Sequence, residues 1–471
     1  MKVGFVSLGC PKNLVDTEVM MGQLSARGHE LTPRPEEADV IVVNTCSFID
    51  PAKQESVDAI LEMARYKKTG RAEKLIVAGC LVERYRGEIR KNIPEVDAVI
   101  GTNELDSIAA VCEGAPLPAN PLQAYLYHDG TPRVLSTPRH YAYVKVAEGC
   151  DHPCSFCVIP QFRGRFRSRR FESVVAEAGA LLARGVREIN LIGQDTTCYG
   201  EDLGLKDGLA HLLARLAQIE TPGGKWIRFL YAYPNRISQR LLETIAAHPA
   251  LVKYIDMPLQ HASARVLKRM KRGGSGAIFL RLIERIRRTI PEVAIRTSMI
   301  VGFPGETQED FEELCRFVQA AEFDHLGVFA YSDEDASASF HLDGKVDGRA
   351  IYNRRRRLMS IQRRISRARN RRRRGGEFPV LVEGPSRDSD LVWECRLPGQ
   401  APEIDGVCYI SDPGEPPPQP GEFRRMRITG AHDYDLVGAL VDEPPAERAP
   451  QPPAGPFRVL PAGPPRTSLR P

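Results

Sequence analysis

The chain has 471 residues, with 65 lysines and arginines against 60 aspartates and glutamates. That length exceeds one ordinary domain, and a balance so close to neutral does not by itself name a nucleic-acid, membrane or acidic partner. Eleven scattered cysteines with no secretion signal suit a reducing cytoplasm better than a disulfide framework, and no apolar run approaches the roughly eighteen residues that would span a membrane. The expected location is therefore the cytoplasm, with no membrane partner.

The N-terminus is apolar but runs at once into Pro11, Lys12 and Asn13, which reads as a buried strand rather than a leader. Short apolar or β-branched runs at 3–8, 40–44 and 75–78 are each followed by a helix-like stretch. Such βα alternation predicts an open parallel sheet with covering helices. Each run ends within two residues of a cysteine: Cys10, Cys46 and Cys80. In these sheets the carboxyl ends of the strands share one edge, where ligands bind. One cysteine at a strand end is ordinarily a small apolar residue in a tight turn; three out of three predict a ligand trio. Gly9 and Gly79 precede two of them and would let backbone approach a bulky group closely. The reading is a three-cysteine [4Fe–4S] site with one iron left free.

A second trio follows the strand-like run 141–146: Cys150, Cys154 and Cys157, spaced C-x₃-C-x₂-C. Three thiolates can hold three irons of a cluster that normally wants four cysteines, leaving the last iron open to a ligand that is not protein. The alternative is zinc, with His152 or a distant cysteine as fourth ligand. Against it, no matching C-x₂-C or H-x₃-H hook stands elsewhere in the chain. An open iron beside an aromatic, Phe156, resembles the pattern of the radical-SAM enzymes, and the likeness runs through roughly the next two hundred residues.

Further strands are expected at 188–193, 227–232, 254–257, 294–301 and 325–330, with helices at 171–184, 238–248 and 306–321 between them. With 141–146 these make six βα units, hence a partial (βα)6 barrel whose active face is where the strands end. Between Arg354 and Arg374 lie a dozen arginines, including two runs of four. Such a block binds nucleic acid about as often as it forms a solvated connecting helix. An all-β pattern then follows at 380–382, 391–395, 407–410 and 426–429, resembling the small TRAM β-barrel. From Glu383 to Glu415 it carries eight acidic residues against Arg387 and Arg396, a composition better suited to a cationic protein than to RNA phosphates. Residues 441–471 hold ten prolines and no apolar pattern, and are expected to be disordered.

Two open-iron sites in one chain resemble the methylthiotransferases. The run Ser7-Leu8-Gly9-Cys10-Pro11-Lys12-Asn13-Leu14-Val15-Asp16-Thr17-Glu18 is similar to the opening signature of their RimO branch, which modifies the twelfth protein of the small ribosomal subunit. Asn44-Thr45-Cys46 and Ala78-Gly79-Cys80 match the other two ligand positions. The segments from Ile255 to Ser263 and from Val328 to Asp335 carry wording of the same branch, and the likeness extends to about Leu440.

The resemblance implies an α/β chain of four parts: 1–115, an N-terminal methylthiotransferase domain with an open parallel sheet; 136–370, a radical-SAM core; 372–440, a TRAM domain; and 441–471, the proline-rich tail. It implies two [4Fe–4S] clusters and S-adenosylmethionine, with Phe156 and Gln194 near that cofactor. It further implies methylthiolation of an aspartate β-carbon in a small-subunit ribosomal protein. An electron donor such as a flavodoxin-type protein would serve it, and ribosomal RNA could lie near the arginine block. Two other readings stay open from the residues: a transfer-RNA adenosine methylthiotransferase, and a non-catalytic metal protein that binds ribosomes or RNA. Cys112, Cys198, Cys315, Cys395 and Cys408 match no ligand pattern.

Overall fold

A computed structural model describes residues 1–115, 125–386 and 392–441. The expected disorder at the C-terminus falls almost wholly outside these residues. The first unit is a five-stranded parallel sheet in the order β2-β1-β3-β4-β5, built from β1 (Lys2–Ser7), β2 (Glu30–Thr32), β3 (Val40–Thr45), β4 (Lys74–Gly79) and β5 (Ala98–Ile100). Its central strands read as unbroken apolar runs because helices cover both faces; Val42, Val43, Ile76 and Val77 are fully buried. The short edge strands β2 and β5 were not visible in the sequence pattern.

The middle unit holds β6 (Tyr141–Lys145), β9 (Glu188–Ile192) and β10 (Trp226–Phe229) in one parallel arc, and β11 (Tyr254–Asp256), β12 (Ala294–Val301) and β13 (His325–Ala330) in another. Between them, β7 (Ala147–Glu148) and β8 (Arg167–Ser168) form a small ribbon that flanks the second cysteine trio. The arcs meet at a seam where Ile227 bridges Leu251 and the Ala232 amide donates to the Asp256 carbonyl at 2.8 Å. Six parallel strands thus form the expected open barrel around the largest apolar core.

The third unit is a closed barrel in the order β14-β15-β16-β18-β17, from β14 (Glu377–Pro385), β15 (Trp393–Arg396), β16 (Cys408–Ile410), β17 (Phe423–Ala431) and β18 (Leu436–Leu440). The fifth strand, β18, goes beyond the four expected; its run Leu-Val-Gly-Ala-Leu is short and interrupted by glycine. A single 26-residue helix, Gly348–Arg373, connects the open barrel to the closed one. No helix among the described residues is long and apolar enough to cross a membrane.

Candidate active site between two cysteine trios

Strand register brings the first trio together. Ser7 pairs with Asn44 and Asn44 with Ala78, so the loops after β1, β3 and β4 leave the sheet at one level. Gly9 and Gly79 have φ of +87° and +95°. A side chain at Gly9 would place its Cβ 2.7 Å from the Cβ of Cys46, and one at Gly79 would sit 2.3 Å from Asn44 Oδ1. Glycine is therefore required on steric and on conformational grounds. Asn13 Nδ2 donates to the Leu8 and Thr45 carbonyls at 3.1 and 2.7 Å, tying the Cys10 loop to the Cys46 loop. Ser47 Oγ donates to the Cys80 carbonyl at 3.1 Å, and Ser56 Oγ accepts from the Cys46 amide at 3.0 Å. Burial, reinforced by the neighbouring Cys10 and Cys80, pushes the Cys46 thiol up to about 12. Cation binding there must therefore release protons.

The second trio sits on the loop between β7 and β8, at the carboxyl end of the open barrel. Gly149 has φ of +81°, and a Cβ there would fall 2.0 Å from the Arg165 carbonyl oxygen. The Cys150 amide donates to the Gly164 carbonyl at 3.1 Å, and the Cys157 amide to the Cys154 carbonyl at 3.1 Å. Ser155 fastens the loop to the opposite arc, its amide donating to the Met270 carbonyl and its hydroxyl to that of Arg269. Arg272 lies 3.5 Å from Cys154 Sγ, with its guanidinium over the Tyr233 ring. Burial raises Cys150 to about 11 and Cys157 to about 12.

One buried polar network joins the trios. Arg163, in the helix Ile159–Arg163 that follows Cys157, is 2% exposed. Its Nη1 donates to Asp16 at 2.7 Å and Glu148 at 3.1 Å; its Nη2 donates to Asn13 Oδ1 at 2.6 Å and lies 3.4 Å from Cys80 Sγ. Lys145 donates to the same two carboxylates, Asp16 at 2.5 Å and Glu148 at 2.7 Å. Glu148 is two residues before Cys150. Lys12 lies 3.5 Å from the centre of the Tyr231 ring and donates to the Gly193 carbonyl at 3.3 Å. Glu18 accepts from Arg133, Ser136 Oγ and the Ser136 amide. Asn13, Asp16 and Glu18 of the opening signature are therefore buried and tie the first unit to Arg163, Lys145 and Arg133 of the segment that follows it. A lone lysine, Lys145, inside an otherwise apolar strand was the sequence signal for this network.

Each trio thus offers three thiols with one guanidinium against them. That donor set fits an anionic iron–sulfur cluster bound through thiolates. His152 spends its Nε2 on Asp195 at 2.6 Å and stacks on Tyr233 at 3.8 Å, which groups it with Asp195 and Cys198 rather than with the trio. Asp195 also accepts from the Cys198 thiol at 2.9 Å. Burial and that carboxylate push the thiol far up, which makes it a poor nucleophile. Cys112, Cys315, Cys395 and Cys408 are buried, the last two inside the closed barrel.

Gln194 follows β9, and its Nε2 donates to Glu148 at 2.5 Å while its Oε1 is buried without a hydrogen-bond partner. Phe156 is half-buried against the barrel core. Glu306 binds the Gly302 and Phe303 amides and Arg354, which makes the 302–306 turn a structural clasp.

The closed barrel docks on the open one through charge. Arg396 pairs with Glu188 at 2.6 Å, His140 with Glu383 at 2.7 Å, and Tyr141 and Tyr254 donate to Glu403 and Asp405 at 3.0 and 2.7 Å. Three of the acids that the sequence offered to a cationic partner are therefore spent within the chain.

Comparison with known proteins gives three family matches: Uncharacterized protein family UPF0004 over residues 2–101, the Radical SAM superfamily over 144–318, and the TRAM domain over 375–441. A protein of Solibacter usitatus described as ribosomal protein uS12 methylthiotransferase RimO is 75% identical over 456 residues, covering 97% of this chain and 98% of that one. Its Koribacter versatilis counterpart of the same name is 59% identical, covering 93% and 96%. Among solved structures, the radical S-adenosylmethionine methyltransferase TsrM of Kitasatospora setae superposes with a TM-score of 0.52 at 16% identity, covering 70% of this chain and 74% of that one; this supports the fold. On the strength of the two close relatives and the three matched domains, the chain belongs to the RimO family of radical-SAM methylthiotransferases.

Proposed function

We propose that the enzyme methylthiolates the β-carbon of an aspartate in ribosomal protein uS12, with one [4Fe–4S] cluster on Cys150, Cys154 and Cys157 and a second on Cys10, Cys46 and Cys80. The observation that carries this reading is Arg163, which reaches from Cys80 of one trio to Glu148 beside the other. Arg163 ends the helix that follows Cys157, so the loop of one trio reaches a thiol of the other.

The target carbon stands beside an anionic carboxylate, where a protein base gains little by removing a proton. The bound clusters and S-adenosylmethionine would supply uncharged hydrogen removal, the methyl group and the sulfur; the protein supplies position and shielding. Arg272 and Arg163 offset thiolate charge at Cys154 and Cys80. Gln194, oriented by Glu148, presents an unpartnered acceptor to a donor group of the cofactor. Phe156, next to Cys157 in sequence, packs against the open-barrel core and would fix the cluster loop there. Lys12 over Tyr231 holds the segment after Cys10 against the open barrel. The reaction needs an electron donor, for which a flavodoxin-type protein is suited, and a cytoplasmic setting. The substrate belongs to a particle rich in RNA, which puts the arginine block near ribosomal RNA.

The test separates the trios. Alanine at Cys150, Cys154 or Cys157 abolishes reductive cleavage of S-adenosylmethionine, whereas alanine at Cys10, Cys46 or Cys80 spares cleavage and stops sulfur insertion. Mass spectrometry of uS12 and transfer RNA, offered side by side, reads the product. A Cys10→Ala protein that still methylthiolates uS12, or a mass gain on the RNA alone, overturns the assignment.

A further inference from the structure

The helix Gly348–Arg373 sorts its arginines by direction. Toward the barrels, Arg354 pairs with Glu306 at 2.8 Å, Arg369 and Arg373 with Asp324 at 2.9 and 3.3 Å, and Arg355 donates to the Val328 carbonyl at 3.2 Å. Arg357 and Arg372 reach Glu312 and Glu322 at the flanks. Arg349, Arg356, Arg363, Arg364, Arg367 and Arg371 are exposed, and 100° per residue puts them on one outward stripe. Arg374 continues it at the helix end. Of these, Arg363 and Arg367 approach Asp433 only at 3.9 and 3.6 Å; the others have no ion pair among the described residues.

No aspartate or glutamate occurs between residues 348 and 374. A helix face that serves only solubility ordinarily mixes both signs. Here one sign runs for about 37 Å, at about 1.5 Å per residue. An anionic membrane would require apolar side chains on the same face, but Leu358 and Ile361 are buried against the core, and Tyr352, 61% exposed, is the one large apolar side chain on the stripe. A linear polyanion with bases that can stack on a tyrosine fits better.

We infer that this stripe is a docking surface for the phosphate backbone of folded RNA, placed beside the substrate protein on the ribosomal small subunit. The inference rests on the reading of the substrate given above and adds a second contact to it. The surface recognises backbone rather than sequence, because guanidinium–phosphate contacts carry no base information. Its arginines release counterions on binding, so affinity must fall steeply with salt.

The test uses the full chain and purified small-subunit ribosomal RNA, with binding followed by anisotropy between 50 and 200 mM salt. About six phosphate contacts predict a roughly thousand-fold loss of affinity over that range. In R356Q/R364Q/R371Q about three contacts remain and the loss shrinks to roughly forty-fold, while the corresponding lysine variant keeps the steep dependence. Methylthiolation of free uS12 is unchanged in the glutamine variant, which shows that it is folded and active; methylthiolation of uS12 within assembled subunits drops at physiological salt. RNA binding is read without the clusters, so a chain that never modifies uS12 still tests the surface. An unchanged salt dependence in the glutamine variant overturns the inference. So does wild-type binding to phosphatidylglycerol vesicles but not to RNA.

Discussion

Replacing Arg163 by glutamine removes a side chain that contacts Cys80 of one trio and Glu148 beside the other. The substitution takes away donors at 2.7, 3.1 and 2.6 Å from Asp16, Glu148 and Asn13, and a cation 3.4 Å from Cys80. Breaking a buried ion pair by removing one partner costs about 3–5 kcal/mol. Lys145 still serves both carboxylates, which places the cost at the lower end, about 3 kcal/mol. For a domain of this size that lowers the thermal midpoint by roughly 6–12 °C. A charge-assisted hydrogen bond is worth about 1.5–3 kcal/mol. The share that depends on cluster charge would therefore lower the one-electron potential of a Cys10–Cys46–Cys80 cluster by at most about 60–130 mV, at 59 mV per tenfold. Calorimetry reads the first effect; an electron-paramagnetic-resonance redox titration reads the second. Arg163→Lys keeps the charge but cannot serve four acceptors at once, and falls between. If glutamine leaves both the melting temperature and the potential of the first cluster unchanged, with the second cluster also unaffected, the network does not couple the trios.

Gly9→Ala adds a Cβ 2.7 Å from that of Cys46 at a φ of +87°; with two clusters held as proposed, anaerobic iron analysis should then fall from about eight to about four irons per chain, and a full complement refutes the steric argument. Burial alone would raise the Glu383 carboxyl, but Arg396 and His140 outweigh it and hold it at about 2 against an ordinary 4.5. A depressed carboxyl contributes stability above its unfolded value and loses it as pH falls, so docking of the closed barrel weakens between pH 4.5 and about 2. Glu383→Gln flattens that dependence, and limited proteolysis at the barrel junction across this window measures it.

The longer strands of both parallel units, all but the short edge strands β2 and β5, were legible because their runs are apolar and regularly spaced, and β12 and β13 begin and end where periodicity places them. The convergence of Cys10, Cys46 and Cys80 was legible from topology alone, since parallel strands end on one rim. Their cross-connection was not. Asn13 and Asp16 are ordinary polar residues in a helical stretch, and nothing local says that Arg163, some 150 residues away, will meet them. Charge counts misled in the closed barrel for the same reason: Glu383, Glu403 and Asp405 read as surface acids until their partners, His140, Tyr141 and Tyr254, are in place. The arginine block was ambiguous because composition cannot tell which side of a helix faces the protein.

The two trios differ in what must happen before metal can enter. Eight consecutive residues contain Cys150, Cys154 and Cys157, so that all three thiols lie on one loop from the moment it is synthesised. The other is dispersed over seventy-one residues and comes into being only when β1, β3 and β4 lie in register. If both trios hold clusters as proposed, iron delivered early would find one cradle nearly formed and the other unmade, and loading of the dispersed cradle would report that the first sheet has closed.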